Sequence, residues 1–428
     1  MKEIFLSYIW ENRLLSSGLS TTDGQEIEVM YPGIKNTNAG PDFLNARIRI
    51  GDAVWAGNVE LHVNASDWYS HRHNTDKGFD NVILHVVYQA DKATFTTVGH
   101  SIPTVQLKGF FDENLLLRYR SFIDSKTWIA CQKSVKRVQR FTWLSWLDRM
   151  IVERLEFKVE EVLHVFEQTG NDWEETLYRR MMTNFGFKVN DEPFLRLGRM
   201  LPFQLLLRHS DQVFQLEALL FGVAGFLQQT FSDEYPLKLK KEFDFLQKKY
   251  ELSQMNPEQW RFMRMRPSNF PTIRIAQMAA LINKSQRIFS RITEANSIEE
   301  IKALFDVYAS EYWDNHFQFE KYTPGNRKHL GQDAVDLILI NTIVQVLFAY
   351  GIYHANETYK DKALMILETL DAENNEIIRK FSALGVNSTH ALQSQALLHL
   401  RKNFCNPKRC LECRIGQLLI RSETEENV

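Results

Sequence analysis

A change of hydrophobic period is the feature that most restricts what this chain of 428 residues can fold into. Up to about residue 110, apolar residues come in short runs that alternate with polar ones, the two-residue repeat of strands. Beyond it they recur every three to four positions, the repeat of helices. Helices are expected over Phe141 to Phe166 and Trp173 to Phe185, with one or two more in Pro202 to Gln229. Lys238 to Tyr250, Pro271 to Ile282, Ile298 to Tyr312, Val335 to His354, Lys360 to Ala383 and Ser388 to Phe404 continue the series, with prolines as breaks. The expected fold class is α+β. A small mixed-sheet domain over 1–125 is fused to a larger all-helical domain over 126–428 that ends in a cysteine cluster.

Within the sheet region, Phe43 to Ile50 alternates, Gly51-Asp52 interrupts it, and Val54 to Val63 returns, which is a hairpin pattern. Asp42 opens the first arm. Glu60 lies eighteen positions on, in the second. Because strand side chains repeat every two residues, Glu60 and His62 share a face and Leu61 turns to the other. Two carboxylates brought together by one hairpin make an oxygen-rich cleft suited to Mg²⁺ or Mn²⁺ against a phosphate. His62, which titrates near neutrality, is the candidate to orient or deprotonate a water. His71, His73 and His85 crowd the same segment. His71 and His73 read either as support for the cleft or as an exposed polar turn, and His85 as a satisfied histidine in a buried strand. Trp68 reads first as a cover for the sheet and second as a base-stacking ring.

The order helix (Lys2 to Leu15), strand (Glu26 to Tyr31), strand (Asp42 to Ile50), strand (Val54 to Val63), helix (Ser66 to about His73) and strand (Val82 to Tyr88) resembles the core of the PD-(D/E)xK restriction-endonuclease-like superfamily. That resemblance implies metal ligation by Asp42, Glu60 and the backbone carbonyl of Leu61. His62 stands where the superfamily usually has lysine, and Glu11 or Glu3 of the first helix is an additional candidate. Together with Asp67-Trp68, Asp80-Asn81-Val82-Ile83-Leu84-His85 and the C-terminal cysteines, the chain resembles the uncharacterised family called domain of unknown function 2851 over nearly its full length.

The cysteines are a second chemical signal. Cys405, Cys410 and Cys413 form a C-x4-C-x2-C run, and the remaining cysteine is Cys131. Clustered thiols point to Zn²⁺ or an iron–sulfur cluster, with a structural role. Cys131 is the candidate fourth ligand; His399 and a set of ordinary buried thiols are the alternatives.

Lys and Arg number 51 against 53 Asp and Glu, so the chain carries no global charge for binding a polyanion. Nucleic-acid contact must then come from local patches. One is Lys133, Lys136, Arg137 and Arg140 with Arg149 and Arg154, beside Phe141, Trp143 and Trp146; another is Lys238, Lys240, Lys241, Lys248 and Lys249. Arg264, Arg266 and Arg274 surround a Pro-rich turn that opens a helix, an arrangement suited to an anion. Acids at Glu3 and Glu11 interrupt any N-terminal apolar run, and Asn341, Thr342 and Gln345 mark the apolar stretch Leu337 to Tyr353 as a helix buried in protein. The expectation is a cytoplasmic, metal-dependent nuclease-like protein that acts on DNA away from membranes. The alternative is a catalytically inactive scaffold of the same shape that binds nucleic acid or a protein.

Overall fold

The computed structural model describes residues 2–422. They form two units: one runs to Trp146 and takes up the chain again from Arg401, and the other is Leu147–Leu400. A single cut at 125/126 groups the C-terminal cysteines with the helices, whereas contacts group them with the sheet. The reason is local. Lys408 donates to the Ser125 carbonyl at 2.9 Å, and Arg118 Nε to the Ile420 carbonyl at 2.6 Å.

The first unit begins with α1 (Glu3–Glu11), followed by β1 (Ile27–Tyr31), β2 (Ile34–Lys35), β3 (Phe43–Ile50) and β4 (Ala53–Asn64). After a short α2 (Asp67–Ser70) and two 3-10 turns come β5 (Val82–Gln89), β6 (Thr104–Gln106) and α3 (Glu113–Asp124). The sheet order is β1-β3-β4-β5-β6, with β2 also on β3. The β3–β4 pair is the expected hairpin, antiparallel, with its turn at Gly51-Asp52. β4–β5 and β5–β6 are parallel, so the sheet is mixed. Val82 to Val87 is an unbroken buried run, as suits a strand covered on both faces.

Two backbone features place the start of β3. Its register with β4 slips between Phe43 and Ala46, and Asn45 takes a left-handed φ of 58° while donating its N–H to Asn58 Oδ1. A bulge of this kind bends the strand, here just after Asp42. Gly57 sits where β4 meets the entry to β5. A Cβ there would lie 2.4 Å from Ile83 Cγ2 and 2.8 Å from the Asn81 carbonyl oxygen. Gly57→Ala is therefore expected to cost about 1–3 kcal/mol by forcing these strands apart, measurable as a lowered urea midpoint at unchanged slope.

The second unit is helical apart from a short hairpin, His316–Gln318 with Lys321–Tyr322. Some expected helices are divided. Lys360 to Ala383 becomes Glu357–Thr369 and Glu376–Ala383, because Asn375 caps a new start by accepting from the Ile377 and Ile378 N–H groups. One helix among the described residues, Gln332–Tyr353, is long and apolar enough to cross a membrane, and most of it is buried within the fold. Its polar residues are bonded internally: Thr342 Oγ1 accepts from Asn184 at 2.6 Å, and Gln345 Oε1 from Arg180 at 2.8 Å.

Candidate metal centre

The two acids of the hairpin meet. The Asp42 N–H donates to Glu60 Oε2 at 3.0 Å, and the Leu61 N–H donates to Asp42 Oδ2 at 3.0 Å. Each carboxyl is thus held by the backbone of the other's strand. Glu60 is 6 % exposed, and burial, with Asp42 adding to it, pushes its carboxyl up to about 8. Burial raises Asp42 as well, against the Leu61 N–H and the Lys35 ammonium, which favour its charged form.

Four imidazoles continue the site from Glu60. On β4 and β5, Glu60 pairs with His85 and His62 lies two residues further on. α2 ends at His71, Arg72 takes a left-handed φ of 64°, and the chain turns back so that His73 follows on the same side. Ligand nitrogens of His62, His71 and His73 all lie within 4.8 Å of one another. His73 stacks on Phe79 with ring centroids 3.7 Å apart. Trp68, fully buried, presents its indole to His62, His73 and His85 and donates to the Phe95 carbonyl at 3.1 Å. That burial makes Trp68 the cover of the histidines and removes it as a platform for a base.

Burial keeps three of these rings neutral, lowering His62 to about 2, His85 to about 3 and His73 to about 4, with neighbouring imidazoles adding to the effect. Their tautomers follow from hydrogen-bond polarity. The Ile102 carbonyl only accepts, so the Thr104 hydroxyl donates to it at 3.1 Å. Thr94 then donates to Thr104 at 3.3 Å, and His85 Nδ1–H to Thr94 at 3.4 Å. A neutral imidazole has one N–H, which makes His85 Nε2 an acceptor. His62 Nδ1–H donates to it at 2.8 Å, and His62 Nε2 accepts from the His71 Nδ1–H at 3.0 Å. His73 Nε2 is available: it is buried, 3.3 Å from Glu60 Oε1, and has no hydrogen-bond partner.

These donors fit a divalent cation. The orphaned buried nitrogen of His73, 3.3 Å from Glu60 Oε1, and the two carboxyls that meet at the hairpin would offer it ligands, with His71 close to His73. His62 is engaged at both nitrogens, so it positions His71 and has no lone pair to offer a water. Of the two helix acids, Glu3 is the one that faces the site, where it senses His71, Asp42 and Asp67. Glu11 is exposed at the other end of α1, about 12 Å along the axis. Lys35, Thr94 and Thr104 carry no motif in the sequence; pairing of β2 with β3 brings in Lys35, pairing of β5 with β6 brings in Thr104, and the Ile102 N–H bond to the Thr94 carbonyl brings in Thr94.

The other predicted groups divide. Arg264 and Arg266 are exposed, but Arg274 is buried and bonds to Asn269 at 2.6 Å and Gln277 at 2.8 Å, so it is spent within the fold. Lys133, Lys136, Arg137 and Arg140 are exposed with Phe141, while Trp143 and Trp146 are core. Lys238 pairs with Glu234 and Lys240 bonds the Gln229 carbonyl, as on an ordinary solvated helix face. All four cysteines are reduced thiols within the first unit. Burial and the neighbouring sulfurs push Cys131 up to about 12. His399 lies in the second unit, 3.2 Å from Glu153 Oε1.

A mixed sheet unit joined to a larger helical region, with carboxyls and imidazoles gathered at one hairpin, defines an α+β protein with a candidate divalent-cation centre. The chain belongs to the family described as a protein of unknown function, DUF2851, whose model matches residues 3–376. No curated protein and no solved structure matches it.

Proposed function

We propose that this protein is a metal-dependent phosphodiester hydrolase acting on DNA, a nuclease-like protein related to the PD-(D/E)xK superfamily. The observation that carries the reading is the meeting of Asp42 and Glu60 beside the unpartnered nitrogen of His73. The element order from α1 through β5 supports the same kinship. A bound cation would polarise a phosphoryl oxygen and acidify a coordinated water. Imidazoles among the donors favour Mn²⁺ over Mg²⁺ and admit Zn²⁺ or Fe²⁺. Lys35 supplies the permanent positive charge near Asp42 that His62, held neutral, does not. Exposed Lys133, Lys136, Arg137 and Arg140 are the groups suited to the DNA backbone.

The test is cleavage of plasmid and single-stranded DNA by the full chain with Mn²⁺, Mg²⁺ or EDTA. We expect cutting with Mn²⁺ and none with EDTA. In Asp42→Asn, which keeps an oxygen for the Leu61 N–H, the rate should fall more than about 100-fold, beyond the loss typical of an outer-shell change. A second reading, an inactive scaffold, is favoured by the reciprocal backbone bonds that already occupy both carboxyls. Salt-sensitive DNA binding with no cutting under any metal would decide for it.

A further inference from the structure

We propose that Cys131, Cys405, Cys410 and Cys413 hold a four-thiolate metal centre, Zn²⁺ or an iron–sulfur cluster, separate from the hairpin site. The three C-terminal thiols lie outside the span that the family model matches, and Cys131 is more than 270 positions away in sequence. The fold nevertheless gathers them. Cys131 senses the charge of Cys410 and Cys413, Cys405 that of the other three, and Cys410 that of Cys413, so all six pairs lie within electrostatic reach.

The backbone is shaped around the gathering. The helix Ala391–Leu400 widens into a π-turn over Arg401–Cys405, a distortion found often at functional sites. Lys408, at a left-handed φ of 55°, reaches the Ile123 and Ser125 carbonyls and ties the cysteine loop to the segment leading to Cys131. Arg401 lies over the Trp128 ring at 4.9 Å and makes a second tie. Gly416 admits the Cys410 carbonyl, whose oxygen would lie 2.2 Å from a Cβ there. The Cys413 sulfur faces the Ile415 and Gly416 N–H groups, the kind of donors that stabilise cluster thiolates.

Four thiolates are the donor set that a structural Zn²⁺ and an iron–sulfur cluster share. With either one, each thiol gives up its proton as its sulfur bonds the metal.

The experiment is purification of the full chain without oxygen, with iron, zinc and acid-labile sulfide measured per chain and the visible spectrum recorded before and after dithionite. Iron with matching sulfide and visible absorbance that dithionite bleaches, or stoichiometric zinc without sulfide, is the expected result, and the sulfide tells the two apart. Cys410→Ser should lose that metal, while the double variant His71→Ala, His73→Ala keeps it, which separates this centre from any metal at the hairpin. Neither metal in the unaltered chain, or full retention of the metal in Cys410→Ser, overturns the proposal.

Discussion

Glu60→Gln is expected to leave the fold standing and to remove metal binding at the hairpin. The amide keeps an oxygen for the Asp42 N–H, which Glu60 accepts at 3.0 Å, and it fills the same buried space. What it lacks is the negative charge. Mn²⁺ affinity, followed by calorimetric titration, should fall by more than the roughly 10–100-fold typical of an outer-shell partner. In the unaltered protein, binding must expel the proton that burial keeps on Glu60, so affinity should climb with pH until about 8 and then level.

The metal-free protein reports the same carboxyl through its stability. Glu60 holds its proton in the folded state up to about 8, whereas an unfolded glutamate releases it near 4.5. Folded protein therefore binds more protons than unfolded protein across that interval, and stability declines as pH rises through it. Glu60→Gln lacks the share of this decline that Glu60 contributes, so its advantage in EDTA should grow with pH and saturate above about 8. His62, His73 and His85 act in the opposite sense. Their folded values lie below the ordinary 6.5, so both proteins lose stability as pH falls from there toward about 2 to 4. Equal Mn²⁺ affinity in the two proteins would sink the metal centre, and parallel stability curves between about pH 4.5 and 8 would sink the buried proton.

Trp68→Ala carries the largest expected structural cost. The indole is fully buried among His62, His73, His85 and Phe79, and its N–H is bonded to Phe95. Truncation should cost about 3–5 kcal/mol, read from urea unfolding. It should also weaken Mn²⁺ binding without touching a ligand, because the ring that orients His73 against Glu60 is gone. Trp68→Phe, which retains an aromatic face, should recover most of the affinity. If Trp68→Ala unfolds more easily yet binds Mn²⁺ as the unaltered chain does, the imidazoles are not positioned by this ring.

The hairpin was legible because period-two alternation and a Gly-Asp turn fix which side chains share a face, and Asp42, Glu60 and His62 fall together accordingly. His71 and His73 were visible as histidines but ambiguous, since only the left-handed Arg72 turns both toward β4. Glu3 was one of two helix acids that the sequence left open, and helix packing selects it; Lys35, Thr94 and Thr104 leave no local signal, because they arrive through strand pairing and loop contacts that no short window encodes. Helix limits were misjudged where a side chain competes for the backbone, as at Asn375. They also failed where hydrophobic period outlasts the helix: Ile298 to Tyr312 is helical only over Ile298–Leu304. The domain boundary lacked a local mark for a similar reason, since the return of the chain at Arg401 is a long-range event.

That return has a consequence for biosynthesis. Tyr8, which accepts from Arg421 Nε at 2.6 Å, and Arg118, which bonds Ile420, leave the ribosome long before their partners. All of Leu147–Leu400 is translated in the interval, which takes roughly 10–50 s at ordinary elongation rates. The inserted helices can collapse while the nascent sheet still waits for its last helix, so the segment made first is completed last.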